Sequence, residues 1–258
     1  MKSLRQLLDK PGLLLGTWIQ IPAAEVVEMA ARAGFDFAIM DLEHGDFNVE
    51  TAASLVRASE ACGIAPMIRL PEAHAPTVTR ALDTGAAAVV LPRVTSLEDA
   101  QHAVRTSLFA PRGSRGACPI VRSGEHLISD FAAFRARQEA DFGAILLLET
   151  ETAFDVVEDI CAIAGLRGLM LGPFDLSVAM GLDGNYQHAA VQARLNAAID
   201  VARRASVPII MPVFALDAAD CKAQMNHWQA RGVRMFAVGA DKIFFADYVS
   251  RYVSRLRE

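Results

Sequence analysis

The chain has 258 residues, of which 53% are hydrophobic and 21% charged, with a formal net charge of −5. That composition excludes a disordered chain, a collagen or a coiled coil, and it leaves enough apolar material for a large core. The acidic balance, with no basic run, argues against nucleic acid as a partner. No uncharged stretch approaches the ~18 residues of a membrane span.

The opening MKSLRQLLDKPG is charged and breaks at Pro11, so it lacks the apolar centre of a secretory signal. Cys62, Cys118, Cys161 and Cys221 are far apart and form no CxxC pair. Reduced core thiols and a cytoplasmic location are the expectation. From residue 13 onward, short apolar runs alternate with longer amphipathic stretches. LLLGTWI (13–19) precedes AAEVVEMAARAG, FAIM (37–40) precedes NVETAASLVRASEACG, and APMIRL (65–70) precedes APTVTRALDTG. AAVVLP (87–92) precedes SLEDAQHAVRTSL, after which a long interval to residue 143 carries RGSRG and one extra helix, ISDFAAFRARQEA. AILLLE (144–149) leads to AFDVVEDICAIAG, GLMLG (168–172) to VQARLNAAIDVARRA, and VPIIMPV (207–213) to DAADCKAQMNHWQARG. RMFAVG (234–239) and ADKIFFADYVSRYVSRL complete the series.

The short runs are apolar throughout rather than alternating, which is how a strand reads when both faces are buried in a parallel sheet. Gly34, Gly63, Gly85, Gly165 and Gly232 stand where left-handed helix ends are expected, and Asn48 and Ser96 where N-caps are. Eight strand–helix units predict one (β/α)8 barrel spanning 1–258, an architecture that commonly needs about 250 residues. No GxGxxG follows the first strand, so a dinucleotide-binding sheet is disfavoured. The long interval before residue 143 is expected to be functional, as long loops in compact domains often are.

Barrel chemistry sits at the C-terminal ends of the strands. There the sequence places Asp41, Leu42, Glu43 and His44 after the second strand, Arg69 after the third, and Glu149 after the fifth. Gly172, Pro173, Phe174 and Asp175 follow the sixth. Glu149 and Asp175 follow adjacent strands. Either they converge on a hard divalent cation, or they are separately hydrated or paired carboxylates. His44 reads as a base supported by Asp41 and Asp83, or as a loop histidine. Arg69 reads as an anion holder or as a rim ion pair. Gly172–Ser177 offers free backbone N–H groups to an anion, or is an ordinary turn with Asp175 as cap. Trp18 lines a pocket or packs the core. RGSRG contacts an anion or clasps a loop. His74, His102, His126, His188 and His227 lack metal-ligand spacing and read as surface or packing residues.

AGFDFAIMDLEHG, MIRLP, RALDTGAAAVVLPRV, PRGSRG, LLLETETA, LMLGPFDLSVAMG and AVGAD run through nearly the whole chain. Together they make the sequence resemble the HpcH/HpaI aldolase family. The resemblance implies a (β/α)8 barrel and a class II aldolase that joins or splits a pyruvate-like 2-oxo acid and an aldehyde. It implies a divalent metal, Mg²⁺ or Mn²⁺ with Co²⁺ as a further option, held by Glu149 and Asp175. It makes His44 the general acid/base, Asp41 and Asp83 its supporting acids, and Arg69 the enolate-stabilising group. It also places the backbone amides of Gly172 to Asp175 on the substrate carboxylate. Hexamers in which the last helix packs on a neighbouring subunit are the implied assembly.

The sequence departs from the family pattern at three positions. Leu147 stands where many of the pyruvate aldolases carry Gln, Phe174 where a small residue is frequent, and Leu42 where Gly is frequent. Leu147 shares the inward face with Glu149 by strand alternation, so the expected pocket is more apolar or tighter. No lysine sits at a strand end inside this site; Lys242, after the last strand, is the only one near the rim. A Schiff-base route therefore has no evident nucleophile. The alternatives are a citrate-synthase-like enzyme of siderophore pathways, using oxaloacetate and an acyl-CoA, and a non-catalytic barrel that keeps the ligand site.

Overall fold

The eight apolar runs form strands β1 (Leu14–Ile19), β2 (Phe37–Asp41), β3 (Ala65–Arg69) and β4 (Ala88–Leu91), followed by β5 (Gly143–Leu148), β6 (Gly168–Leu171), β7 (Ile209–Val213) and β8 (Met235–Ala240). All neighbours pair in parallel and in sequence order, and β8 returns to β1, so the sheet closes into a barrel. This computed structural model describes residues 1–258.

Parallel strands need long crossovers, which here are helices wrapped around the outside. They are α1 (Leu4–Leu8), α2 (Ala24–Ala33), α3 (Val49–Ala61), α4 (Ala75–Asp83), α5 (Leu97–Thr106) and α6 (Phe131–Asp141). The chain continues with α7 (Glu151–Asp155), α8 (Val157–Cys161), α9 (Pro173–Ala179), α10 (Ala189–Arg204), α11 (Ala218–Gln229) and α12 (Asp241–Arg257). Asn48 and Ser96 cap α3 and α5 through their side chains. The five glycines expected after helices all have positive φ.

Strand side chains divide between two cores. Ala144, Leu146 and Leu148 of β5 face the helices, whereas Ile145 and Leu147 face the barrel interior. Trp18, Ile39, Met67, Val90 and Met170 share that interior, and Leu4 and Leu7 of α1 close its base. Burial on both faces explains why the strands read as continuous apolar runs.

Helix direction decides where the long segment before β5 lies. In a parallel barrel every helix descends from the strand C-termini to the strand N-termini. α5 therefore delivers the long segment before β5 to the base, away from the catalytic rim. There Arg115, almost fully buried, donates to Asp83 at 2.9 Å and to Gln138 at 3.1 Å, and lies 4.5 Å over the Phe109 ring. RGSRG is thus a structural clasp. The cysteines are all free, but only Cys221 is buried, so the expectation of four core thiols holds for one.

α12 departs from the regular pattern. Of its 17 residues only Asp241 is buried. No helix is long and apolar enough to cross a membrane.

Candidate active site

Strand alternation determines what reaches the barrel mouth. Two residues beyond the inward-facing Trp18, Ile39, Met67, Leu147 and Met170 stand Gln20, Asp41, Arg69, Glu149 and Gly172. Period two therefore delivers all five to the same inner rim.

Asp41 and Arg69 are direct register partners across β2 and β3. The arginine donates from Nε to Asp41 Oδ1 at 2.8 Å and from Nη2 to Oδ2 at 2.7 Å, a bidentate pair. The guanidinium also lies 4.4 Å over the Trp18 ring, a cation–π contact on a buried indole. Gln20 Nε2 donates to Asp41 Oδ2 at 2.8 Å, and the backbone N–H groups of Glu43 and His44 donate to Oδ1. Burial alone would raise the Asp41 carboxyl. The hydrogen bonds and charge of Arg69, aided by Gln20 and the His44 N–H, outweigh it and hold the group below the usual carboxylate range. Asp41 therefore serves Arg69 and the backbone at His44. It does not touch the imidazole, as a supporting acid would. The His44 side chain is exposed at the rim, with no hydrogen-bond partner for its ring.

Asp83 stands apart from the rim. It ends α4 at the base of the barrel and is paired with Arg115. Asp83 and His44 of one chain thus lie at opposite ends, and Asp83 does not reach the imidazole of its own chain.

Glu149 follows β5 and packs against Gly172, where an added Cβ would stand 3.0 Å from Glu149 Cβ and 3.4 Å from Leu147 Cδ1. Its carboxyl is pushed up, first by burial and then by the charges of Asp175 and Glu43, with the Arg93 N–H and Arg69 opposing. Arg93 N donates to Glu149 Oε1 at 3.0 Å. Leu147 is 3% exposed and faces inward as expected.

Pro173 is buried as the first residue of α9, and the N-cap is Gly172, not Asp175, which stands in the first turn. The N–H groups of Phe174 and Asp175 have no backbone acceptor, as befits a helix start. The Phe174 ring is half exposed and rests against Gly184, so its bulk falls on the loop after α9. Lys242 pairs with Asp46 at 3.3 Å.

Sequence reasoning missed Gln20 and Arg93. The first is neutral and lies just past its apolar run. The second acts on Glu149 through its backbone, which residue type does not advertise.

A closed parallel barrel that gathers its ionisable groups at the strand C-termini has the architecture of an enzyme. The sequence profile described as HpcH/HpaI aldolase/citrate lyase matches residues 14–247, and the chain belongs to that family. It is an aldolase, a carbon–carbon lyase. A hydroxypyruvate/pyruvate aldolase of Paraburkholderia phytofirmans is 31% identical over 92% of this chain and 91% of its own. The crystal structure of an HpcH/HpaI aldolase from Desulfitobacterium hafniense superposes with a TM-score of 0.90 at 25% identity, covering 100% of this chain and 98% of that one. The citrate synthase SbnG superposes with a TM-score of 0.86, also at 25% identity, over 99% and 97% of the two chains.

Proposed function

We propose that the protein catalyses reversible, metal-dependent aldol addition between a pyruvate-like 2-oxo acid and an aldehyde. One observation carries the reading. Arg69, locked on Asp41, shares an inner rim with Glu149, whose carboxyl is destabilised by burial and by Asp175. Two carboxylates that repel each other in a half-buried site fit a hard divalent cation. The donors are all oxygen, and no third Asp, Glu, His or Cys completes a protein cage. Glu149 and Asp175 would therefore hold Mg²⁺ or Mn²⁺, with Co²⁺ a further candidate, and leave coordination positions open.

When bound, the cation supplies Lewis-acid polarisation of the 2-oxo acid and neutralises charge on its enolate. The protein's own groups do the rest. Arg69 stabilises the enolate oxygen from a fixed orientation, so no reorganisation is needed as charge develops. The free N–H groups of Phe174 and Asp175 bind the substrate carboxylate beside Gly172 and Pro173. Leu147 gives this pocket an apolar wall and keeps water from it. In cleavage, His44 accepts the proton of the C4 hydroxyl as the C3–C4 bond breaks. In addition it returns that proton to the new alkoxide. Lys242, engaged by Asp46, offers no Schiff base.

The likeness to SbnG favours a second reading, a citrate-synthase-like condensation of oxaloacetate with an acyl-CoA. For assembly we propose an oligomer, a hexamer by family resemblance, in which α12 packs on a neighbouring copy.

Proton exchange at C3 tests the reading. Pyruvate is incubated with the enzyme in D₂O, with and without Mg²⁺ or Mn²⁺, and the methyl signal is followed by NMR. Metal-dependent loss of that signal, abolished in Glu149→Ala, is the expected result. Absence of exchange with every 2-oxo acid tried would overturn it, and acyl-CoA consumption with oxaloacetate would favour the second reading.

A further inference from the structure

The Asp41–Arg69 pair is held from β1 as well as from its own strands. The Asp41 carboxylate accepts five hydrogen bonds. Apart from Arg69, the donors to Oδ1 are the backbone N–H groups of Glu43 and His44, at 3.1 and 3.2 Å. On Oδ2 the only donor besides Arg69 is Gln20 Nε2, at 2.8 Å. With Oδ1 held by the backbone, Gln20 is the group that sets the rotation of the carboxylate about its Cβ–Cγ bond. A bidentate guanidinium aligns with the plane of its carboxylate, so that rotation also sets the plane of Arg69.

Gln20 has its own anchor. Its backbone N–H and that of Ile21 donate to Asp241 Oδ2, at 2.9 and 2.8 Å, and Oδ1 of the same buried acid accepts from the Lys242 N–H at 2.7 Å. The end of β1 is thereby tied to the start of α12. Two residues back along the chain, the Trp18 ring lies 4.4 Å from the Arg69 guanidinium carbon. β1 and its end thus supply both a face for the guanidinium and a clamp on its counter-ion. Arg69 Nη1, the nitrogen not bonded to Asp41, lies 3.3 Å from Glu43 Oε2. Glu43 competes for this nitrogen, so the aim of Nη1 depends on how firmly the plane is held.

We propose that Gln20 is a positioning residue for the aldol chemistry: its amide N–H fixes Asp41 and, through it, aims Arg69 at the enolate oxygen. The proposal rests on the aldolase reading and adds to its site a neutral residue that does not touch the substrate. A donor stabilises an enolate best when it needs no reorientation as charge develops, and small misplacements are costly. A hydrogen bond to an ionised group is strong enough to keep that aim. A neutral amide does so without adding charge to a rim already crowded with acids.

Pyruvate exchange in D₂O with Mn²⁺ tests the role, with kcat, KM and Tm measured together. Gln20→Met keeps the length of the side chain and removes the donor. It should lower kcat roughly tenfold, as loss of one hydrogen bond to a charged group does, with KM within about twofold of wild type. A purely structural role would lower Tm and leave kcat unchanged at temperatures well below it. An unchanged kcat would therefore overturn the proposal, as would a rise in KM alone, which would place Gln20 on the substrate. Should Gln20→Met fail to fold, Gln20→Asn, which withdraws the amide by one methylene, is read in the same way. A double-mutant cycle with Arg69→Lys, which cannot form the bidentate pair, shows whether Gln20 acts through Arg69. The loss from Gln20→Met should shrink in that background, and an equal loss in both would overturn the proposal. Where Arg69→Lys is too slow to read, the split between kcat and KM decides. Wild-type exchange keeps the failures apart. Exchange that Gln20→Met leaves intact removes only the role of Gln20, whereas no exchange by the wild type removes the aldolase reading.

Discussion

Arg69 is held in place at the barrel mouth by Asp41, directly opposite in the register and fully buried beneath it. A buried charge left without its partner is costly, about 3–5 kcal/mol when one member of a pair is removed. Asp41→Asn keeps the shape and one acceptor, so a loss of about 2–4 kcal/mol at pH 7 is the expected outcome of urea denaturation. The sign with pH follows from the depressed carboxyl. A group held below its unfolded value contributes fully above that value and loses the contribution as pH falls through the folded one. The gap between wild type and Asp41→Asn should therefore persist at pH 5 and narrow only below about pH 4. A gap that closes already near pH 6 would contradict the depressed state. At this scale the sequence announces charged residues well and neutral ones poorly. Asp41, Arg69 and Glu149 stand out because ionisable groups interrupt apolar runs. Gln20 does not, although it holds the same carboxylate.

Strands carry a second constraint, since an inward position must fit a closed interior. Gly16 of β1 meets the Phe37 ring of β2 so closely that an added Cβ would lie 2.1 Å from Cε2. Phe37 is fully buried and has no room to retreat. Gly16→Ala should cost about 1–3 kcal/mol by overpacking. That lowers Tm by several degrees, roughly 2–4 °C per kcal/mol at this size. Calorimetry of Gly16→Ala alone and combined with Phe37→Leu checks the pair; recovery in the double variant locates the clash. An undiminished Tm in Gly16→Ala would show that the ring does not fill this space. The strand and helix sequence was legible because each element has one texture. Facing was not, because strands apolar on both sides show no alternation; Leu147 and Glu149 could be placed only relative to each other. Asp83 shows why direction matters. It shares a residue type with the rim groups, but the C-terminal end of a helix in such a barrel lies at the base of its own chain.

For the whole molecule the unsettled element is α12. Phe245, Tyr248 and Leu256 are 67%, 65% and 70% exposed, with Phe244, Tyr252 and Val253 beside them. Between β1 and α2, an apolar cavity of about 370 Å³ is lined by Ile19, Ile21, Val26, Met29 and Phe35, with Phe244 and Phe245 at its edge. A soluble monomer seldom leaves so many large apolar side chains in water. A 17-residue helix touching its barrel only near its first turn has little to hold it. Both problems are solved when α12 of one copy lies on another copy, and exchanging an identical element is a low-cost route to a symmetric oligomer. The sequence showed the apolar face, but whether that face closes its own barrel or a neighbour's depends on the exit angle after β8. Sedimentation of the full chain should give a species larger than a monomer, with a Tm that rises with protein concentration. Phe245→Glu combined with Tyr252→Glu leaves the barrel core untouched. It should yield a folded monomer of lower Tm that no longer depends on concentration. A full-length chain that sediments as a monomer at micromolar concentration would sink the exchange, and α12 would then have to be stable with its apolar side in water.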